Sequence, residues 1–242
     1  MKSIFSISTL LLVLLVGLPA FAQDVIDHKP FNALLKTYVK GGQVKYSALK
    51  DSEEDYAKLK AYVEAVGTAE VKGSKDAQLA FYLNAYNALV ISSVLDNWPV
   101  KNVLKVDGFF KKIEHKVAGQ TMTLDHLEHT IIRPTFKDAR VHFALNCAAQ
   151  SCPPLKAKAF THKNVQKVLE ANTKAFLPKA TKVEGNTVTT SKLLEWFADD
   201  FKHDEGSVQA YLAKYVPEHA ELLKGEDIKI TFAEYNWALN GK

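Results

Sequence analysis

The chain has few of the residues that mark a disulfide scaffold or a basic binding surface. It contains two cysteines, Cys147 and Cys152, and two arginines, Arg133 and Arg140. Two cysteines cannot supply a disulfide framework for 242 residues, so the fold must rest on an apolar core. The lysines are scattered, and the formal net charge of +4 is only weakly basic. This pattern argues against nucleic-acid binding.

Long apolar runs are also scarce, and the one that stands out begins the chain. Lys2 precedes the segment IFSISTLLLVLLVGLP, and Ala20-Phe21-Ala22 follows it. The run is shorter than the ~20 residues that span a bilayer, and its flanks predict a signal peptide over residues 1–22. No cysteine follows the cleavage site to carry a lipid. We expect an exported protein, periplasmic or secreted, that starts at Gln23 and keeps no stable membrane anchor.

Low-complexity segments and repeats are absent from residues 23–242, which predicts one globular domain. The segment 75–98 is apolar almost all round, and this predicts a long, central, buried helix. No segment after the signal peptide is expected to cross a bilayer. Amphipathic spacing predicts further helices within residues 30–42, 52–67, 124–134, 162–178, 191–201 and 206–216.

The predicted strands are few and short. KKIEHKVAGQTMTL predicts a hairpin turning at Gly119-Gln120, and TKVEGNTVTT predicts another around Gly185-Asn186. RVHFAL is expected to be a buried strand, and the alternation in DIKITF predicts a last one. The predicted fold is therefore α+β: a helix-rich single domain whose long buried helix packs on a few short, mainly antiparallel strands.

Five separated blocks carry a resemblance to a known family. They are AFYLNAYNALVI, LDHLEHTIIRP, RVHFALNCAAQSCPPL, LEWFADDF and YNWALN. Together they resemble the uncharacterised family catalogued as domain of unknown function 547, in the family's order and over about residues 30–240. The resemblance implies one domain and a set of signature positions, and it implies no activity. This chain has Tyr235-Asn236-Trp237 where the family usually has Tyr-Asp-Trp, so any chemistry that needs that acid is absent here.

The long helix carries two asparagines, Asn84 and Asn87, which lie on one face because they are three residues apart. A buried amide without partners costs about 1–3 kcal/mol, so both need partners. Either they hold the backbone of a neighbouring segment, or they line a polar pocket and orient a ligand or a catalytic histidine.

A polar face is also expected on the helix at 124–134. Asp125, His129 and Arg133 recur every four residues there, and Glu128 lies beside them. The structural interpretation is an ion-paired surface, and the functional interpretation is a pocket wall made by Glu128, His129 and Arg133. His126 and His129 are three apart, whereas a zincin pair is four apart, and no third ligand is evident. We therefore expect no metal site and no cofactor.

The stretch VHFALNCAAQSCPPL allows three interpretations. A C-x₄-C pair supplies two ligands, too few for a metal clip. A Cys147–Cys152 disulfide suits an exported protein and would contribute about 2 kcal/mol. A Cys147 nucleophile would need a base, for which His142 and His129 are candidates. If the stretch is a strand, His142, Ala144 and Asn146 share one side of it.

The sequence is compatible with two functions. In the first, the chain is a module that binds a small molecule or a peptide, and a Cys147–Cys152 bridge shapes the ligand loop. In the second, it is a thiol-dependent hydrolase or transferase with Cys147 as nucleophile and a histidine base. Both versions expect Asn84, Asn87, Glu128, His129 and Cys147 to converge on one pocket. Arg133, His142 and Cys152 are further candidates for site residues. The aromatics Trp196, Phe197, Tyr235 and Trp237 are expected in the core, and the YNWALN tail is a candidate for one pocket wall.

Overall fold

The computed structural model describes residues 23–242, and the predicted signal peptide at 1–22 lies outside them. The first half of this range contains α1 (Lys29–Tyr38), β1 (Val39–Lys40), β2 (Gln43–Val44), α2 (Tyr46–Asp51), α3 (Glu53–Thr68), α4 (Lys75–Asp96), β3 (Glu114–Val117), β4 (Gln120–Thr123), α5 (Leu124–His126) and α6 (Arg133–Phe136). The second half contains α7 (Val165–Ala180), β5 (Lys182–Glu184), β6 (Thr187–Thr190), α8 (Leu193–Trp196), α9 (Ala198–Glu205), α10 (Val208–Tyr215) and β7 (Lys229–Phe232).

The predicted central helix is α4. Ser74 begins it, because its hydroxyl accepts a hydrogen bond from the backbone N–H of Ala77. Among the described residues, α4 is a helix long and apolar enough to span a membrane, which the sequence interpretation did not expect. Most of its side chains are buried inside the fold, as in the core helix of a globular domain.

Helices α1, α2 and α3 lie beside α4 and bury apolar side chains against it. Helical spacing predicts α1 and α3, whereas the sequence indicates a short extended piece at 44–49, where the structure has α2. Ser52 caps α3 by accepting from the backbone N–H of Asp55. The rings of Phe31 on α1 and Tyr62 on α3 stack with centroids 4.9 Å apart. This layer forms the larger of two apolar clusters, and the second cluster lies between α7, α9, α10 and the β5–β6–β7 sheet.

Both predicted hairpins are present, and the turn of the first lies one residue before the predicted Gly119-Gln120. β3 pairs antiparallel with β4, and the turn is formed by Ala118 and Gly119, whose positive φ angles of 51° and 76° fit a two-residue hairpin turn. β5 pairs antiparallel with β6, and β7 joins β6 in parallel. The α+β class with mainly antiparallel strands is therefore confirmed.

The predicted strand at 140–145 is wrong. Residues Ala139–Phe143 form a 3₁₀ helix, which begins where the Asp138 carboxylate accepts from the backbone N–H of Arg140. The carbonyls of Phe143 and Ala144 accept from side-chain amides of α7 and α4 rather than from a neighbouring strand. Strand alternation therefore does not place His142, although the stretch is buried as expected.

The helix expected at 124–134 is longer and less regular than predicted. A π turn, Leu127–Ile132, joins α5 to α6, so the backbone N–H of Arg133 donates to the carbonyl of Glu128, five residues back. The helix passes through Pro134 and ends after Phe136, where Lys137 has a φ of 49°. The wider turn displaces the polar side chains of this segment from the positions of a regular helix.

The end of the chain returns to its beginning. The hydroxyl of Tyr46 donates to Asn240, 2.9 Å away, and Gly241 lies against the Val44 carbonyl so closely that a Cβ there would overlap it. The segment between β7 and Gly241 thus runs across the face on which the disulfide loop and the π turn lie. This return path supplies Tyr235 and Trp237 to that face.

Candidate functional site

A cavity of about 440 Å³ opens between the π turn, the loop after Phe143, α8 and the returning C-terminal segment. We call it the aromatic pocket. Its lining includes six aromatic side chains: Tyr86, Phe110, Trp196, Phe197, Tyr235 and Trp237. Its polar lining includes Lys111, Asp125, Glu128, His129, Arg133 and His142.

Three of these aromatic side chains, Trp196, Tyr235 and Trp237, form a continuous wall. Tyr235 lies between Trp196 and Trp237, with both ring centroids 4.8 Å away. Trp196 is 44% exposed, and Leu104, also on the lining, is 52% exposed. The expectation that these aromatics belong to the core is wrong for Trp196, while the tail does form a pocket wall as the sequence suggested.

Glu128 is the buried carboxyl of the pocket. The π turn carries it, and its side chain is 14% exposed. Burial raises the pKa of Glu128 to about 7, because a charged carboxylate is poorly solvated there, and the Tyr86 hydroxyl and the Arg133 charge act in the opposite direction. The group therefore exchanges its proton near neutral pH, as a functional carboxyl often does.

His142 is held between two carboxyl groups. Its Nε2 donates to Asp200, 2.7 Å away, and its Nδ1 faces Glu128 at 3.9 Å. The ring stacks on Phe197 with centroids 3.8 Å apart. Burial lowers the pKa of His142, although Asp200 opposes this. The imidazole is thus fixed in orientation, and its burial favours the neutral form.

Arg133 connects the Asp200 partner of His142 to a second histidine, His129. Its guanidinium makes a two-point contact with Asp200, at 2.7 Å and 3.0 Å, and a third N–H donates to Nδ1 of His129 at 2.8 Å. Burial alone would raise the pKa of Asp200, but the hydrogen bonds from His142 and Arg133 hold it well below its usual range. Burial lowers the pKa of His129. The polar wall is therefore one connected network.

The two cysteine sulfurs are 2.07 Å apart, a disulfide distance. Backbone N–H groups of Cys147 and Ala149 point at the Cys152 sulfur from 3.1 Å and 3.3 Å. The Tyr235 hydroxyl contacts both sulfurs, at 3.1 Å from Cys147 and 3.3 Å from Cys152. Cys147 lines the aromatic pocket, whereas Cys152 lines a second cavity behind the loop.

Asn84 and Asn87 do not line the aromatic pocket, and each holds a buried backbone segment with both ends of its amide. Asn84 donates to the Phe160 carbonyl at 2.8 Å and accepts from its N–H at 3.0 Å. Asn87 donates to the Ala144 carbonyl at 3.0 Å and accepts from the N–H of Asn146 at 2.8 Å. Asn87 therefore reaches the pocket only through the loop that precedes Cys147.

Of the eight candidate site residues, five line the aromatic pocket: Glu128, His129, Arg133, His142 and Cys147. Cys152 lies behind the loop, and the two asparagines lie beneath it. The sequence interpretation missed Asp200, which the LEWFADDF block contains, and Tyr86, one residue before Asn87. Asn236 does not line the pocket, since its side chain accepts from the N–H of Ala238 in a local turn that Asp would also form.

Within residues 23–242, no three His, Cys, Asp or Glu side chains are grouped as metal ligands. Searches of curated proteins and of solved structures found no match. The resemblance inferred from the sequence is confirmed over the middle of the chain, where three of its five blocks lie. Residues 71–177 match the family described as "Protein of unknown function, DUF547".

Proposed function

We propose that the chain is an exported domain that binds a small-molecule or peptide ligand in the aromatic pocket. One observation carries this proposal: an apolar mouth and a proton-exchanging carboxyl occur in one cavity. The two exposed large hydrophobic side chains of the described residues, Leu104 and Trp196, both belong to its lining. Exposed apolar side chains grouped at a cavity are typical of a surface that a ligand covers.

The size and lining of the pocket suggest the kind of ligand. Small-molecule sites usually enclose about 300–1,000 Å³ and combine apolar walls with a few polar anchors, and this cavity of about 440 Å³ fits that description. The Trp196, Tyr235 and Trp237 wall suits a planar or apolar body. Glu128 suits a head group that donates a hydrogen bond. The ligand is therefore expected to be amphipathic.

The Cys147–Cys152 bridge has a structural part in this proposal. Closing the bridge fixes a short loop whose Cys147 and Pro153 lie on the pocket lining. Tyr235 packs on both sulfurs, so the bridge also supports the centre of the aromatic wall. The exported setting favours this closed form, because oxidising compartments preserve disulfides.

Three probes with one phenyl ring and different head groups test the pocket: benzamidine, benzyl alcohol and benzoate, followed by ligand-observed NMR. We expect benzamidine to bind more tightly at pH 8 than at pH 6, because ionised Glu128 accepts from an amidinium. Glu128→Gln should remove that pH dependence, and Glu114→Gln, an exposed site on β3, should not. If none of the three probes binds at about 10 mM, a weak-fragment limit, the proposal fails.

The export part of the proposal has a test of its own. The signal at residues 1–22 predicts cleavage after Ala22. Intact-mass measurement of protein recovered outside the cytoplasm should give a chain that begins at Gln23. A recovered chain that retains Met1 would contradict the export part of the proposal and leave the pocket untouched.

The alternative is a thiol-dependent hydrolase or transferase. The observation that favours it is that His142, which is hydrogen-bonded to Asp200, lines the same pocket as Cys147. A thiolate nucleophile activated by an oriented histidine is a recurrent catalytic arrangement. Because the Cys147 sulfur lies at bonding distance from Cys152, this function requires reduction of the pair first. Thiol chemistry therefore separates the two proposals.

A further inference from the structure

We propose that a second cavity, behind the disulfide loop, binds an N-acylated amino acid by its free carboxylate, the chemistry of a peptide C-terminus. This cavity measures about 660 Å³ and lies between the loop at 150–157, one face of α7 and the segment at 233–235. We call it the α7 cavity. Its lining shares Pro153 and Tyr235 with the aromatic pocket, so the disulfide loop separates the two.

A buried side-chain amide on the cavity wall has an acceptor without a hydrogen-bond donor. Asn172 is only 4% exposed, and its Nδ2 donates to the Phe143 carbonyl at 3.0 Å. No group of residues 23–242 donates to its Oδ1, which is buried. An unpaired buried acceptor costs about 1–3 kcal/mol. The Oδ1 itself has almost no accessible surface, so a ligand N–H supplies the missing hydrogen bond only when the Asn172 amide turns toward the cavity.

The floor of the cavity is apolar. Phe143 and Phe176 lie on the lining with ring centroids 5.5 Å apart, and Leu155, Pro154 and Ala175 extend the apolar surface. Phe176 follows Asn172 by four residues on α7, so the amide and the ring lie on the same face of the helix. A ligand whose N–H reaches Asn172 would therefore place an adjacent apolar side chain over these rings.

The charge of the lining suggests an anionic ligand. Three lysines, Lys156, Lys179 and Lys192, line the cavity, against one acid, Glu234. Lys179 lies seven residues after Asn172, two turns further along the same helix face. Lys192 is ion-paired with Glu195, which leaves Lys156 and Lys179 as the principal carboxylate partners. The cavity therefore fits a ligand that carries an N–H, then an apolar side chain, then a carboxylate. An N-acylated amino acid has these three groups in this order.

Three related probes test the inference by titration calorimetry: N-acetyl-L-phenylalanine, its C-terminal amide, and 3-phenylpropanoate. The amide lacks the carboxylate, and 3-phenylpropanoate lacks the N–H. We expect N-acetyl-L-phenylalanine to bind and each of the other two to bind about tenfold more weakly, the effect of one charge-assisted contact or hydrogen bond. Using ligands that lack one group avoids mutating Asn172, which also supports the fold.

Two variants locate the binding. Ala175 is exposed and lines the cavity, so Ala175→Trp should block the probe, while Ala171→Trp, one turn earlier and outside the lining, should not. Glu128→Gln in the aromatic pocket should also leave the affinity unchanged. A tripeptide ending in phenylalanine that binds at least as well points to a peptide C-terminus, and weaker binding points to a free acyl amino acid. Equal affinity for all three probes, no binding, or unchanged binding in Ala175→Trp overturns the inference.

Discussion

Glu128→Gln is expected to stabilise the protein at pH 8 by up to about 3 kcal/mol and to leave its stability near pH 4 unchanged. The pKa of Glu128 rises from 4.5 to about 7 on folding because the side chain is buried. Between these values the folded protein keeps a proton that the unfolded chain releases. The wild-type free energy of unfolding therefore falls as pH rises through this window, and above pH 7 the whole loss persists. A glutamine has no proton to release.

The measurement is urea unfolding of wild type and Glu128→Gln at several pH values between 4 and 8. Titrating groups far from Glu128 act equally on both proteins, so the difference between the two curves reports Glu128 and its effect on the neighbouring His142. Glu114→Gln serves as the control, since that side chain is exposed on β3. Parallel curves for wild type and Glu128→Gln would contradict the buried, proton-exchanging carboxyl.

Asn87→Ala should cost about 2–4 kcal/mol of stability, because two buried backbone groups lose their partners. Those groups are the Ala144 carbonyl and the N–H of Asn146. Asn84→Ala provides a matched control on the same helix, since Asn84 holds the carbonyl and N–H of Phe160 in the same way. Both variants should therefore lose similar stability in urea unfolding.

The two asparagine variants should differ in the pocket. Asn87 holds the loop that delivers Leu145 and Cys147 to the aromatic pocket, whereas Asn84 holds a segment elsewhere. Benzamidine affinity, measured well below the unfolding transition, should weaken several-fold in Asn87→Ala and stay unchanged in Asn84→Ala. Equal effects of the two changes on binding would mean that the loop does not shape the site.

The sequence predicted the elements that local patterns specify. Helical spacing predicts α1, α3, α4 and α7, and the hairpin signals predict β3–β4 and β5–β6. It failed at 140–145, where an apolar run with a β-branched residue resembles a strand. There the amides of Asn87 and Asn172 supply the hydrogen bonds that a neighbouring strand would supply. That support comes from distant parts of the chain and leaves no local signal.

The site shows the same limit. Glu128, His129 and Arg133 could be predicted as one polar group, because a single helical segment carries them. Asp200 could not, since it reaches His142 from 58 residues further along the chain. The aromatic wall depends on the return of the C-terminal segment, which no local pattern predicts. The sequence therefore predicted Trp196 and Trp237 as core side chains, whereas the fold places them together at the mouth of a cavity.

The state of the two cysteines tests the proposed function most directly. The measurement is labelling of the native exported protein with iodoacetamide at pH 6 and pH 9, with and without reductant, followed by mass analysis. A closed Cys147–Cys152 bridge predicts no labelling at either pH until reductant is added. Labelling of Cys147 at pH 6 without reductant, lost in Cys147→Ser, would contradict the binding proposal. An ordinary thiol, with a pKa of about 8.5, reacts slowly at that pH, so such a result would favour a catalytic thiolate instead.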